Sequence, residues 1–241
     1  MPRFFDVHCH YMPGVDDGAK TEEITSSMLE LAQDEGIRYI ILTPHYREPF
    51  FTTPSDKIEE GYRKVKRIAS ALNPKMKIFL GNEVHYHPDI LQWLREGKVH
   101  TMADSDYVLV EFSTGEEFGT IQKCICSMVS EGYRPIIAHV ERCAAFMGKI
   151  ENIEQAIDLG AYIQVNAGSF TGEGGFTVKR FVKKLAKERV IDFVGSDAHD
   201  TSERMPRMKK CASILKKING LDYAKQILFD NPLHIVKNTE L

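Results

Sequence analysis

The chain has 241 residues, of which 43% are hydrophobic and 27% charged, and its formal net charge is −3. This is the balance of an ordinary globular protein, and the charge argues against a general nucleic-acid binder, which would be basic. No apolar stretch approaches the roughly 20 residues that cross a bilayer, and the start lacks the apolar segment of a secretory signal, so we expect a cytoplasmic protein. The length fits one large α/β domain or two small ones. Since no linker or repeat divides the chain, one domain over residues 1–241 is the simplest interpretation.

Seven short apolar runs typical of β-strands alternate with helical patterns along the chain. In chain order the runs are FFDVHCH, IILTPH, IFLGNE, VLVEF, IIAHVE, IQVN and FVGSDAH. The spacing of apolar residues predicts helices over residues 21–35, 54–72, 88–96, 121–131, 153–159, 178–188, 206–218 and 223–229, with a break at Asn231-Pro232. This alternation predicts a parallel sheet with helices outside it.

The seven strands predict a distorted seven-stranded (β/α) TIM-like barrel. An open doubly wound sheet is the alternative, but it would collect its ligands at one switch point, whereas here nearly every strand contributes one. Two connections have the composition of functional loops. Residues 12–20 (MPGVDDGAK) follow the first strand, and the glycine-rich residues 167–175 (AGSFTGEGG) are predicted to be mobile, with a plain surface loop as an equal alternative.

Each apolar run ends on, or just before, a residue that can bind a metal ion or a phosphate. Parallel strands that lie side by side bring their C-terminal ends to one edge, so these residues are expected to surround one point. Asn166 ends the sixth run. The candidate metal ligands are His8, His10, Asp17, His45, Glu83, Glu111, His139, Asp197 and His199.

Spacing distinguishes these histidines from isolated core histidines. His8 and His10 are two residues apart on a strand, so both imidazoles point to the same side, and Asp197 and His199 form a second such pair. His45 and His139 would each be interpreted as a core histidine if they stood alone, but their shared position at strand ends favours a ligand. The other histidines lie off the strand ends and are interpreted as surface or structural residues: His85, His87, His100 and His234. For His85 and His87, a place near the site is the alternative.

The mixture of imidazole and carboxylate without thiolate suits zinc, manganese or iron. The four carboxylates in the set carry about −4, and three divalent ions would add about +6, so the loaded site would be positive and would attract an anion such as a phosphate. A divalent ion can lower the pKa of water to about 7, which supplies a nucleophile at neutral pH.

Two arginines lie close in sequence to these ligands. Arg142 follows His139 by three residues, and Arg204 follows His199 by five. A guanidinium can hold a phosphate through two parallel hydrogen bonds, so both arginines are candidates for substrate binding and catalysis. An exposed surface arginine is the alternative for each, and Arg207 is a weaker candidate for the same task.

The five cysteines argue against thiol chemistry. Their odd number and irregular spacing, in a chain without a signal segment, favour reduced thiols, and the CxC pair Cys124 and Cys126 is best explained as two positions on an amphipathic helix. No cysteine is followed six residues later by the arginine that a cysteine-based phosphatase needs. A phosphatase with this sequence would therefore use different chemistry.

The motifs DVHCH, PGVDDG, TPH, GNE, VEF, AHVER and SDAHD resemble, in this order, the PHP (polymerase and histidinol phosphatase) superfamily. Among its members the chain is most similar to the bacterial PHP-type protein-tyrosine phosphatases linked to capsule and exopolysaccharide synthesis. The resemblance runs from Asp6 to about Pro232. Where that family often has a proline and an aromatic residue around its HPERY-like stretch, this chain has Val140 and Cys143, so the pocket rim is expected to differ.

The resemblance implies a PHP phosphoesterase domain with three divalent ions, usually manganese. By motif position, His8, His10, Glu83 and Asp197 would hold one ion; Glu83, Glu111 and His139 a second; Asp17, His45 and His199 the third. Arg142 and Arg204 would bind the phosphate. The implied substrate is phosphotyrosine on an autophosphorylating bacterial tyrosine kinase that controls polysaccharide synthesis.

The sequence thus predicts a metal-dependent phosphomonoesterase, in which ions and arginines stabilise charge on the phosphoryl oxygens. Three alternatives remain. One is a histidinol-phosphate or other small-molecule phosphatase of the same superfamily. Another is a metal-dependent amidohydrolase or deoxyribonuclease, which typically needs two ions at most. The third is a catalytically silent metal-binding regulator that docks a partner.

Overall fold

The computed structural model describes residues 3–241, so Met1 and Pro2 of the predicted domain lie outside the described residues. The strands are β1 (Phe4–Asp6), β2 (Ile37–Leu42), β3 (His45–Tyr46), β4 (Lys77–Leu80), β5 (Glu83–His85), β6 (Tyr107–Glu111), β7 (Arg134–Ile137), β8 (Tyr162–Asn166) and β9 (Phe193–Gly195). The α-helices are α1 (Glu22–Asp34), α2 (Ser55–Leu72), α3 (Ile90–Arg95), α4 (Phe118–Ser130), α5 (Ile150–Asp158), α6 (Ala167–Thr171), α7 (Gly175–Glu188), α8 (Met208–Lys225) and α9 (Asn231–Lys237).

The strands form two sheets, ordered β1-β2-β4 and β3-β5-β6-β7-β8-β9, and every pair of adjacent strands is parallel. The predicted α/β class with parallel strands is therefore confirmed. The predicted single seven-stranded barrel is not found as one continuous sheet. The second predicted strand is divided into β2 and β3 at Thr43-Pro44, where proline has no N–H to continue the ladder, and the third is divided into β4 and β5 at Gly81-Asn82.

The first and last strands approach each other beyond their ends. The backbone N–H of Asp197 donates to the carbonyl of His8 at 2.7 Å, and the N–H of His10 donates to the carbonyl of Ala198 at 3.0 Å. A Cβ on Gly195 would lie 2.5 Å from the Cβ of His8, which only glycine avoids. This approach brings two predicted ligand pairs to the same place.

The core has two parts. Side chains from β1, β2, β6, β7 and β9 form one apolar cluster, closed by Met102 and Ile235 of α9. A larger cluster packs the strands against the helices. The apolar face of each helix is thereby buried against the strands, so the C-terminal strand ends remain free for polar side chains.

The C-terminal helices differ in part from the prediction. A kink at Gly220, with φ 88°, lies within α8 between the two predicted helices 206–218 and 223–229. The predicted break at Asn231-Pro232 is wrong, because the chain stays helical from the π-helical residues Gln226–Asp230 into α9. Proline is tolerated in the first turn of a helix, where its missing N–H would have no helical partner.

The glycine-rich connection 167–175 also differs from the predicted loop. Its first five residues form α6, in which Ala167, Gly168, Ser169 and Phe170 are buried. The turn that remains runs through Gly172 and Gly174, both with positive φ, and leads into α7. Within residues 3–241, no helix is both long and apolar enough to cross a membrane.

Candidate metal centre

The structure brings all nine predicted ligands together at the C-terminal ends of the strands. Their ligand atoms form four groups, and the atoms within each group all lie within 4.8 Å of one another. The groups are His10, Asp17, His45 and His199; His8, His10 and Asp197; His8, Glu83 and His139; and His45, Glu83 and Glu111. Side chains from both ends of the chain thus converge on one point, although their role as ligands stays a prediction.

Glu83 lies at the middle of the cluster and is fully buried. Its Oε1 is 2.8 Å from Nε2 of His139. Its Oε2 is 3.1 Å from Nε2 of His8, 3.3 Å from Nε2 of His10 and 2.9 Å from Nδ1 of His45. A single carboxylate therefore faces four imidazoles, so it can be shared between metal ions.

Asp197 closes the cluster on the side of the last strand. Its Oδ1 is 3.5 Å from Nε2 of both His8 and His10. Its Oδ2 accepts hydrogen bonds from Nδ2 of Asn166 at 2.9 Å and pairs with Arg142 at 2.7 Å. One oxygen of Asp197 thus faces the imidazoles while the other is held from outside.

The remaining ligands lie at the mouth of the cluster. Oδ1 of Asp17, whose side chain is 46% exposed, is 3.4 Å from Nε2 of His45 and 3.3 Å from Nε2 of His199. On another side, Oε1 of Glu111 is 3.7 Å from Nε2 of His139. The cluster is therefore buried at Glu83 and open to solvent at Asp17.

The donor atoms fit divalent ions. Atoms bound to one ion at about 2.1 Å lie roughly 3.0–3.5 Å apart, and the atoms of His8, His10, Glu83 and Asp197 lie 3.1–3.5 Å from each other across the carboxylate–imidazole contacts. Four buried atoms have no hydrogen-bond partner although imidazole or carboxylate atoms lie close by: Nδ1 of His45, Oε2 of Glu83, Oε2 of Glu111 and Nε2 of His199. These atoms lie near one another, but their geometry does not meet the angular requirements of a hydrogen bond. Such an arrangement is expected of groups that share a cation.

Residues behind the cluster orient the histidines. Nδ1 of His10 donates to Asp16 at 2.8 Å, Nδ1 of His8 donates to Oε1 of Gln164 at 3.2 Å, and Nδ1 of His199 donates to the carbonyl of Asp197 at 2.9 Å. Each ring therefore turns the lone pair of Nε2 toward the cluster, as metal-bound histidines do. Gln164 is not among the residues predicted from the sequence, although it lies two residues before Asn166 on β8 and therefore points to the same side of the sheet.

The turn after His139 is held by a buried carboxylate. Oε1 of Glu141 accepts hydrogen bonds from the backbone N–H of Asn166 at 2.8 Å and from Oγ of Ser169 at 2.7 Å. His139 itself has a left-handed backbone with φ 30°. The hydrogen bonds of Glu141 thus help to fix the backbone conformation that aims His139 at Glu83.

Without metal, the carboxylates and imidazoles shift each other's protonation. Burial raises the pKa of the Glu83 carboxyl, but the charges of His8 and His45 outweigh it and hold the pKa well below its usual range. Burial lowers the pKa of His10, but Asp16 outweighs it and the pKa lies well above its usual range. The pKa of His8 is raised in the same way, by Glu83 against burial. In the metal-free cluster, protons on the imidazoles therefore supply the positive charge that metal ions would otherwise supply.

We expect the free energy of unfolding of the metal-free protein to fall as pH rises above about 6.5, by up to about 1.4 kcal/mol per pH unit for each excess proton that the folded protein holds. Raised pKa values at His8 and His10 stabilise the fold fully below the unfolded pKa of about 6.5, and this contribution is lost as pH rises through the folded pKa. Burial lowers the pKa of His199, so this residue has the opposite effect on stability, and its effect is confined to pH values below about 6.5. Thermal unfolding of chelator-treated protein across this range measures the slope.

Added Mn²⁺ is expected to reverse this trend, because bound metal displaces those protons and binds more tightly as pH rises. The gain in Tm on adding metal should therefore be larger at about pH 8.5 than at about pH 7. The side chain of His87 is 40% exposed and stacks on Trp93, outside the cluster, so His87→Gln should show the same pattern. A metal-induced gain that shrinks with pH would argue against this ligand set.

Two of the three candidate arginines meet at the mouth. Arg142 and Arg204 both contact Asp197, the second at 3.2 Å, and their side chains are 40% and 33% exposed. Arg204 also lies 3.7 Å from Asp17. Arg207 instead lies 3.7 Å from Glu173. The first two guanidiniums therefore have donors free at the opening of the cluster, and Arg207 is separated from them.

The other histidines and the cysteines lie outside the four groups. His85 is half-buried and faces Ser113 at 3.1 Å, beside Glu111 in the adjacent strand, so it lies near the site. On α4, Cys124 is buried and Cys126 is exposed, as on an amphipathic helix.

Comparison with known proteins identifies relatives over nearly the whole chain. The family described as "Capsular polysaccharide synthesis, CpsB/CapC" matches residues 4–237. The tyrosine-protein phosphatase CpsB of Streptococcus pneumoniae is 34% identical over 236 residues, which cover 96% of this chain and 97% of that protein.

Solved structures agree with this comparison. A structure from work on YwqE of Bacillus subtilis and CpsB of Streptococcus pneumoniae, described as unique metal-dependent tyrosine phosphatases, matches with a TM-score of 0.92 at 26% identity, over 98% of this chain and 96% of that one. Histidinol phosphate phosphatase of Lactococcus lactis, solved with zinc, L-histidinol and phosphate, matches with a TM-score of 0.60 at 15% identity, over 91% and 95% of the two chains. At that identity the likeness shows a shared fold only.

Proposed function

This chain belongs to the CpsB/CapC family of capsular polysaccharide synthesis proteins, and we propose that it is a metal-dependent tyrosine-protein phosphatase. The observation that carries the proposal is the convergence of imidazoles and carboxylates beneath two partly exposed arginines. The relatives named as tyrosine phosphatases span almost the full chain, so the same chemistry is the simplest account of the site.

We propose that the site holds three divalent ions, bound by the ligands that motif position implies. His8, His10, Glu83 and Asp197 hold the first; Glu83, Glu111 and His139 the second; Asp17, His45 and His199 the third. The spacing of these donors and their unpartnered atoms support the assignment. Manganese is the metal expected for the family, and the donor types also suit iron or zinc.

We also propose that the two sheets form one distorted seven-stranded barrel of the PHP type, in a single domain. The nine strands correspond to the seven predicted apolar runs, since β3 continues β2 and β5 continues β4. The bridge between Cys9 and Ala198 joins the first strand to the last. A closed ring of strands would explain why ligands arrive from all sides of the cluster.

The bound ions would supply an activated water at neutral pH and stabilise negative charge on the phosphoryl oxygens. The guanidiniums of Arg142 and Arg204 bind the outer phosphoryl oxygens. Asp197 positions both, because it accepts from each of them. The tyrosine leaving group has an intrinsic pKa near 10, so it needs less protonation than an alkyl alcohol.

The physiological partner that we propose is a phosphotyrosine protein, an autophosphorylating bacterial tyrosine kinase that regulates capsular or extracellular polysaccharide synthesis. The name of the family, which refers to capsular polysaccharide synthesis, supports this assignment. The cytoplasmic location expected from the sequence stays a prediction.

Alanine at His45 or Glu111 is expected to abolish hydrolysis of an aryl phosphate while the fold survives. Both side chains lie toward the edge of the cluster, 12% and 17% exposed, so their loss removes metal-binding atoms without opening the core. Steady-state assays with Mn²⁺, with circular dichroism as the check on folding, measure this. Full activity in either variant would refute its place among the ligands.

A histidinol-phosphate phosphatase is the nearest alternative, and its solved relative shares the fold. The two activities are separated by comparing kcat/KM on a phosphotyrosine peptide and on histidinol phosphate. Tyrosine phosphatase activity predicts a clear preference for the peptide. Equal or greater activity on histidinol phosphate would favour the alternative, and no turnover of either with metal bound would favour a silent regulator.

A further inference from the structure

Helix α7 (Gly175–Glu188) presents a stripe of positive charge that the proposed chemistry does not use. The stripe consists of Lys179, Arg180, Lys183, Lys184 and Lys187. At 100° per residue these five side chains fall within an arc of about 140°. Phe176, which is 80% exposed, lies in the middle of the same arc at the start of the helix. The opposite face carries buried apolar side chains, so packing holds the stripe toward solvent.

The charges of the stripe have no acidic partners. Within residues 3–241, no carboxylate lies within 4.0 Å of any of these five cationic groups, and one of them, Lys179, donates to the carbonyl of Thr171 at 3.4 Å. Helix α2 shows the usual contrast, because Arg63 pairs with Glu59 at 3.5 Å and Lys64 with Glu60 at 3.3 Å. On a chain of net charge −3, the α7 stripe is therefore a local cationic surface.

The stripe begins beside the mouth of the metal centre. Burial raises the pKa of the Glu173 carboxyl and the charge of Arg142 counteracts this effect, so the turn that leads into α7 lies within reach of a mouth arginine. The same helix packs against the turn Val140–Arg142, which carries one of the two mouth arginines. A polypeptide that places a phosphate at Arg142 would have to leave the mouth across or near this end of α7.

We propose that the α7 stripe binds an acidic segment of the substrate protein that flanks the phosphotyrosine. The proposal rests on the proposed function and adds a substrate preference to it. From Lys179 to Lys187 the helix rises about 12 Å, which an extended peptide spans with about four residues. Phe176 offers an apolar contact at the near end. An anionic membrane fits less well, because the apolar face of α7 is buried in the core and Phe176 is the only aromatic side chain that this helix exposes.

The test compares two kinds of phosphotyrosine peptide. Four positions on one side of the tyrosine carry Asp and Glu in the acidic peptide and Asn and Gln in the neutral one. The N-terminal and C-terminal sides of the tyrosine are tested separately. We expect kcat/KM to be about tenfold higher for the acidic peptide on one side at low salt, and this preference to fall below about twofold at high salt. The variant R180Q/K184Q/K187Q should lose the preference and hydrolyse a small aryl phosphate at the unchanged rate.

The variant R63Q/K66Q/R67Q on α2 is the matched control, because it removes the same number of charges from a helix elsewhere and should keep the preference. Equal rates on acidic and neutral peptides, or an equal loss in both variants, would overturn the proposal. The proposal would also be overturned if the protein sedimented with phosphatidylglycerol vesicles in a way that depends on the stripe, while its preference for acidic peptides did not depend on the stripe. If the aryl phosphate itself were not hydrolysed, the proposed function would fail separately, and peptide binding by fluorescence anisotropy would still test the stripe.

Discussion

Replacing Glu83 with glutamine is expected to lower kcat for aryl-phosphate hydrolysis by at least about 1,000-fold and to reduce the metal content of the protein. Glutamine keeps the shape of the side chain but removes its charge. Both oxygens of Glu83 face imidazoles of other candidate ligands, at 2.8–3.3 Å. The change therefore acts on more than one ion at once, which no other single ligand does to the same degree. Steady-state kinetics and elemental analysis of the purified variant measure the two effects.

Asp192→Asn is the matched control for this variant. Asp192 is a partly buried carboxylate just before β9, at the opposite end of that strand, where it accepts a hydrogen bond from the backbone N–H of Ile163 at 2.8 Å. Burial raises its pKa to about 6, so the neutral amide is a mild change. We expect its metal content and kcat to stay within about threefold of the natural protein. Normal metal content in the Glu83 variant would contradict the central place of this carboxylate.

The candidate ligands could be predicted from the sequence because a simple rule connects them. Parallel strands carry their C-terminal residues to one edge, and in this chain those residues are imidazoles and carboxylates. The rule needs no knowledge of loop conformation for His8, His10, His45, Glu83 and His139, since each follows or ends an apolar run. Periodicity alone thus brings together residues more than a hundred positions apart.

The division of labour between Asp16 and Asp17 could not be predicted in this way. Both lie in the loop after the first strand, and sequence alone does not show which one turns inward. In the structure Asp16 is buried and orients His10, whereas Asp17 faces the mouth. The loop reaches this shape because Gly18 passes over His10, where a Cβ would lie 2.1 Å from the His10 carbonyl oxygen.

Tertiary packing explains what the sequence did not reveal about the fold. The strands divide at Pro44 and at Gly81 because the two halves of each run pair within different sheets. The pattern of apolar residues along the chain does not show which strands pair with each other. Helix α6 is short and glycine-containing, so it has no apolar period of its own, and burial against the core forms it. The α9 helix is similar, since Ile235 joins the apolar cluster among the strands.

Replacing Arg142 or Arg204 with alanine is expected to lower kcat/KM for a phosphotyrosine peptide by about 100-fold or more while leaving the metal content unchanged. Both guanidiniums lie at the mouth with free donors, so their loss removes charge that stabilises the transferring phosphoryl group. Asp197 keeps partners in each case, because Asn166 still donates to its Oδ2 at 2.9 Å. The ligands beneath should therefore hold their positions, and elemental analysis separates this result from that of a ligand variant.

Arg207→Ala is the control, since Arg207 lies against Glu173 and not against Asp197, and its loss should change kcat/KM on an aryl phosphate less than about threefold. Lysine at position 142 tests the geometry further. It keeps the charge but cannot form two parallel hydrogen bonds, so we expect it to recover only part of the rate. If Arg142→Lys were as active as the natural protein, a charge alone would suffice at this position. If Arg142→Ala lost its metal, Arg142 would act through Asp197 on the ions and not on the phosphate, and the assignment of substrate binding would pass to Arg204.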